Sequence, residues 1–201
     1  LMALTMGVAL ICSGLLGCQS SASTTSRLAW ATLDSPQHAE GHSWHLNGAG
    51  QVTLVLSNPR SDEALCAVVQ GPWKGGALDI PLVELAHEPE VVTSSTTHAH
   101  LLQAGAGLDR WVGCNSLNYL AKGPVLDHAE QHGVVDLAGD GGWNVERMES
   151  LAPGLVLASP AYELSTRGWP MVPITEYLEA HPLGRAEWMV PIAWMMGDSL
   201  A

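Results

Sequence analysis

From Leu1 to Leu16 the chain is apolar, broken only by small or weakly polar residues, and a polar run, Gln19-Ser20-Ser21-Ala22-Ser23-Thr24-Thr25-Ser26, follows at once. An apolar stretch of that length matches the core of a signal peptide and is too short to span a bilayer. Residues 19–40 lack periodicity and read as linker. From Ser43 the pattern alternates with a period of two. Ser43-Trp44-His45-Leu46, the loop Asn47-Gly48-Ala49-Gly50 and Gln51-Val52-Thr53-Leu54-Val55-Leu56 together predict a hairpin. Asn58-Pro59-Arg60-Ser61-Asp62 predicts a turn, and Ala64 to Val69 a further strand ended by Gly71-Pro72.

At Val91 the rhythm becomes strand, loop, helix. Apolar, β-branched runs predict strands over Glu90–Thr93, Arg110–Gly113, Gly133–Leu137, Gly154–Ala158 and Trp169–Pro173. Between the first two, Ser94 to Thr97 supply capping hydroxyls for a helix over His98–Ala106, which Gly105 and Gly107 close. Asn144 caps another helix through Leu151. Strands alternating with short helices predict an α/β fold with a doubly wound, mainly parallel sheet. Its ligands would bind at the carboxyl ends of the strands, on the loops 94–98, 114–120, 138–143 and 158–163. A final helix opens at Pro182 and stays apolar through Met196, with Pro191 expected to kink it. The organisation expected is therefore a signal peptide over 1–17, a tether over 18–42, a β-hairpin-rich preface over 43–87, an α/β lobe over 88–181 and a terminal helix over 182–201.

Composition narrows the function. Apolar residues make up 47% and charged residues 14%, which excludes disorder beyond the tether. Eight basic against 20 acidic residues give a net charge of −12, which argues against nucleic acid as a partner and against attraction to anionic headgroups. Cys12 lies inside the apolar leader. Cys66 and Cys114 sit in or beside apolar strand runs, where a cysteine packs as a small hydrophobe.

Nine histidines raise the question of a metal. His38, His42 and His45 lie in or next to the linker, whereas His98 and His100 are two apart on a helix and point to different faces, so no metal site is expected. Ser94, Ser95, His98 and Asp109 could suggest a hydrolase. Yet the Gly-x-Ser-x-Gly elbow is absent and the hydroxyls are explained as helix caps, so catalysis is not expected. Ligand contacts are expected from Ser95, Thr96 and His98 on the first loop and from Asn118, Tyr119, Trp143 and Tyr162 on later ones. Aromatic faces with a few polar anchors suit large flat ligands.

Two resemblances add to this reading. Leu15-Leu16-Gly17-Cys18 resembles a bacterial lipobox, which implies a lipid on Cys18 and attachment to the cell envelope. No Lys or Arg precedes the apolar core and residue 1 is Leu, so the front end is expected to be cut. Thr93-Ser94-Ser95-Thr96-Thr97-His98, Trp111-Val112-Gly113, Asn144-Val145-Glu146-Arg147-Met148 and Leu151-Ala152-Pro153-Gly154-Leu155-Val156 together resemble the amino-terminal lobe of periplasmic binding proteins that serve iron-chelate, haem and cobalamin ABC importers. Pro182-Leu183-Gly184-Arg185-Ala186-Glu187-Trp188 resembles the start of the rigid helix that joins the two lobes in that family. The resemblance covers about half of the chain, residues 88–196. It implies an iron chelate, haem or corrinoid as ligand, no cofactor, an ABC permease as partner, and docking to that permease through Glu146. Gly154 stands where the family usually has Asp, Pro191 falls inside the connecting helix, and no second lobe follows, so a fragment is expected. The alternative is a cell-surface metal-binding or adhesion lipoprotein that uses the histidines.

Overall fold

The structure, a computed structural model, describes residues 31–33, 36–115, 117–140, 142–159 and 168–198. The segments expected to be a signal peptide and most of a tether, with Cys18, lie outside these residues, as does Tyr162.

The first layer is a sheet of β1 (Ala31–Thr32), β2 (His42–Leu46), β3 (Val52–Asn58), β4 (Glu63–Gln70) and β5 (Leu82–Leu85), ordered as in the chain. The expected hairpin joins β2 to β3. Its loop closes because the Asn47 side chain accepts from the Ala49 and Gln51 N–H groups at 3.0 and 2.9 Å, while Gly50 takes the positive φ of 73°. The turn at 58–62 forms around Asn58, whose side chain accepts from the Arg60 N–H and whose carbonyl accepts from Ser61 and Asp62. The first four strands pair antiparallel and β5 joins β4 in parallel.

The second layer starts with β6 (Val91–Thr93), α1 (Thr96–Ala104), β7 (Trp111–Cys114), α2 (Pro124–His132) and β8 (Val135–Asp136). A small hairpin, β9 (Ala138–Gly139) and β10 (Gly142–Trp143), precedes α3 (Val145–Leu151), β11 (Leu155–Ala158) and β12 (Met171–Pro173). The sheet has five strands, all parallel, in the order β12-β11-β6-β7-β8. The chain winds outward from β6 in one direction and then returns to build on its other side. The direction of winding therefore reverses between β6 and β11.

Alternation along these strands feeds two faces. Val91, Leu155, Leu157 and Val172 join the cluster that holds Ala99 and Leu102 of α1 and Val125 and Ala129 of α2, whereas Val92, Val156 and Ala158 pack with Met148 of α3. Burial on both faces explains why the strands read as unbroken apolar runs.

The first sheet does not stand apart as a preface. Trp44, Leu54, Leu56, Cys66, Val68 and Leu85 belong to the same cluster as α1 and the terminal helices, so the core crosses the boundary expected near residue 87. The Trp44 ring meets Trp194 edge-on, with centroids 5.1 Å apart. Two further features differ from the sequence reading. Helix α2 is not among the elements the pattern predicts, although Pro124 opens it and Gly133, at φ 68°, closes it. The terminal segment is two helices, α4 (Pro182–Glu187) and α5 (Met189–Met195), instead of one. Pro191 has no N–H for the Glu187 carbonyl, so the ladder breaks at Trp188, which stays in right-handed helical backbone and makes this a kink.

Two carboxylates tie this segment to the start of the first sheet. Glu179, 2% exposed, accepts from the Gly41 N–H at 2.9 Å, from the Glu40 N–H, and from Trp188 Nε1 at 2.9 Å. Glu187 accepts from the N–H groups of Gln37, His38 and Ala39 at 3.2, 2.8 and 2.7 Å. Burial opposes ionisation of Glu187, but these three donors outweigh it and hold its carboxyl below the usual carboxylate range.

Candidate functional site

The site is built where the parallel strands end. At the reversal point the Ser94 N–H donates to the Leu157 carbonyl at 2.9 Å, and the Ser94 hydroxyl accepts from the Ser159 N–H at 3.0 Å. These bonds stitch the exits of β6 and β11 together. Ser95 then caps α1, its hydroxyl accepting from the Thr97 N–H at 3.1 Å, and both Ser95 and Thr96 remain half-buried at the edge.

After β7 the chain turns through Leu117–Tyr119, a short 3₁₀ turn set against β8. Asn118 is exposed and Tyr119 is 78% exposed, an unusual position for an aromatic ring on a folded surface. Just before this turn, Asn115 braces the β9–β10 hairpin: with its amide oriented so that nitrogen meets the surrounding acceptors, it donates to the Leu137 and Gly142 carbonyls at 3.0 and 3.1 Å. After β8, the Asp136 carboxylate accepts from the Ala138 N–H at 3.0 Å and leads into the β9–β10 hairpin. Trp143 is half-buried on the hairpin and packs against the cluster of Leu137 and Met148. Asn144 caps α3 by accepting from the Arg147 N–H at 3.1 Å, and Arg147 reaches back to the Asp136 carbonyl. Glu146 projects into solvent from the first turn of this helix, where the helix dipole favours a carboxylate.

The structure thus gathers Ser95, Thr96, Asn118, Tyr119 and Trp143 on loops leaving one edge of the sheet. His98 is not among them. It is fully buried, on the face of α1 that meets the sheet. Its Nδ1 lies 3.1 Å from the Leu157 carbonyl, which can only accept, so Nδ1 carries the proton. Nε2 then faces the Glu176 carboxylate at 3.6 Å, well away from solvent. The expectation of a ligand contact at His98 is therefore corrected: its position in the helix turns the ring inward. The Ser95 hydroxyl serves as the cap of α1, and the His98 ring faces Glu176.

Sequence reasoning missed Ser94 as the stitch and Asn115 as the brace. The first carried a signal, a hydroxyl directly after a β-branched strand; the second depends on residues far along the chain. An open groove of about 920 Å³ runs between the first sheet and the β11–β12 side of the second, lined by Cys66, Leu82, Ala158, Ser159, Trp169 and Met171 among others, and so reaches the carboxyl end of β11. No bridge joins Cys66 to Cys114, and burial pushes the pKa of the Cys66 thiol up to about 12.

Among the described residues no helix is long and apolar enough to cross a membrane, and no cluster of three or more His, Cys, Asp or Glu side chains could hold a metal. No family model, curated protein or solved structure matches the chain.

Proposed function

We propose that this chain is the amino-terminal lobe of a solute-binding component of an ABC importer, lipid-anchored through Cys18 in the cell envelope. Its ligand is an iron chelate, haem or a cobalamin-like corrinoid. The observation that supports this reading most is the parallel sheet β12-β11-β6-β7-β8, whose reversal point lies beneath a rim carrying Ser95, Thr96, Asn118, Tyr119 and Trp143. Ligands of doubly wound sheets bind in that crevice. Rim hydroxyls and an amide beside an exposed tyrosine suit a broad, flat, partly polar molecule held by ring faces. Binding and docking, without chemistry on the ligand, are then the function, and Glu146 on α3 is the carboxylate that meets basic residues of the permease.

The test is a fluorescence titration of the chain with haem, cobalamin and ferric chelates, followed through its eight tryptophans. One ligand class should quench saturably, and Tyr119→Ala should weaken it by about tenfold, in line with the loss of one aromatic contact. Glu146→Lys should leave that titration unchanged while reducing uptake by cells that carry the complete importer. Failure of all three ligand classes to bind, or full uptake with Glu146→Lys, would overturn the respective part of this reading.

A further inference from the structure

We propose that His128 and His132 form a two-histidine clip for a divalent transition-metal ion at the carboxyl end of α2. The two residues are four apart in a helix and so share one face. Their rings are stacked, with centroids 3.9 Å apart and planes inclined by 17°. Two imidazole nitrogens that each sit ~2.0–2.1 Å from one ion at a tetrahedral angle are separated by roughly 3.3 Å. In the stack the ring planes, and with them the lone pairs, run nearly parallel, so chelation requires the side chains to rotate about χ1 and χ2 until two nitrogens converge. The i,i+4 spacing keeps both rings within reach of one ion.

The protonation of the pair favours the same use. His132 Nδ1 lies 3.0 Å from the His128 carbonyl and must donate to it, so the lone pair of a neutral His132 is on Nε2. An imidazole whose second nitrogen is held by a carbonyl is the usual arrangement of a metal-ligating histidine. His128 Nε2 is shielded from solvent and makes no hydrogen bond with any described residue. A metal ion would supply the partner that this nitrogen lacks. His132 also lies in the last turn of α2, where the helix dipole favours a cation, and the net charge of −12 draws cations towards the whole molecule.

The protein offers two nitrogens here and no third His, Cys, Asp or Glu among the described residues, so water completes the coordination shell. Such a site exchanges its ion readily and follows the general order in which Cu²⁺ binds more tightly than Ni²⁺ or Zn²⁺. It is remote from the rim. Helix α2 runs from the carboxyl ends of the parallel strands back towards their amino ends, so the clip sits at the opposite edge of the sheet.

Calorimetric titration of the full chain, first stripped of metal, with copper, nickel and zinc chlorides at neutral pH tests this. One Cu²⁺ should bind, more tightly than Ni²⁺ or Zn²⁺, and its electron paramagnetic resonance spectrum should show coupling to two imidazole nitrogens. His128→Gln and His132→Gln should each weaken Cu²⁺ binding by about tenfold or more, while His100→Gln, an exposed histidine elsewhere, leaves it unchanged. Acidification should release the ion, because both ligands must be neutral. If His128→Gln lowers the metal-free melting temperature, the exposed His132→Gln alone decides. Unchanged Cu²⁺ affinity in His132→Gln, or no binding at millimolar Cu²⁺, would overturn the proposal.

Discussion

His42 shows how much one residue can set. It is buried between the edges of Trp44 and Trp188, with ring centroids 6.3 and 5.4 Å away, and neither nitrogen bonds to a described residue. Burial pushes its imidazole down to about 4, against the pull of Glu179 and Glu187. The unfolded chain, with an ordinary histidine pKa, binds this proton more readily than the folded one. Stability is thus complete above the unfolded value and falls as pH drops towards the folded value. Between about pH 7 and pH 5 the loss should be roughly 2 kcal/mol. Urea unfolding at the two pH values checks this, and His42→Leu should flatten the difference; an unchanged slope would assign the acid sensitivity elsewhere.

At the scale of elements, the helix caps decide what the site presents. The Asn144 side chain sets the first turn of α3 and thereby the direction in which Glu146 leaves the surface. Asn144→Ala should cost about 1 kcal/mol of stability, measured by thermal melting, and should raise hydrogen exchange at the Arg147 amide before that of the β11 amides. Helix α5 is set differently. Its packing on α1 requires small residues: a Cβ at Gly105 would come 3.1 Å from Ala193 Cβ, and one at Gly107 would come 2.8 Å from Met196 Cγ. The same glycines that end α1 by their local chemistry are therefore also the contact surface for a helix some ninety positions later in the chain. Local pattern revealed the first role and had no means of revealing the second.

Across the whole molecule, the two sheets and the helices between them share a continuous core, from Trp44 and Leu56 through Leu102 and Ile192 to Leu157 and Val172. The carboxylates of Glu179 and Glu187 add a clasp from the terminal segment to residues 37–41. Neither sheet can lose its partner without exposing the same apolar surface. Calorimetric melting should consequently give one transition, with calorimetric and van't Hoff enthalpies in agreement. Two resolved transitions would show that the first sheet unfolds by itself.

The alternation of residues 43–70 and the β-branched runs after Val91 carried most of the strands and the parallel α/β class, because strand pattern and capping chemistry act over a few neighbouring residues. Rim loops were legible for the same reason: once the strands are parallel, their carboxyl ends must share an edge. The His128–His132 spacing stood in the sequence too, but it acquires meaning only on a helix, and α2 carries too few apolar residues to announce itself. Tertiary structure alone decided that His98 turns inward, that Asn115 braces a distant hairpin and that the first sheet joins the core of the second. These outcomes depend on which surfaces meet across long stretches of chain, where burial outweighs local preference.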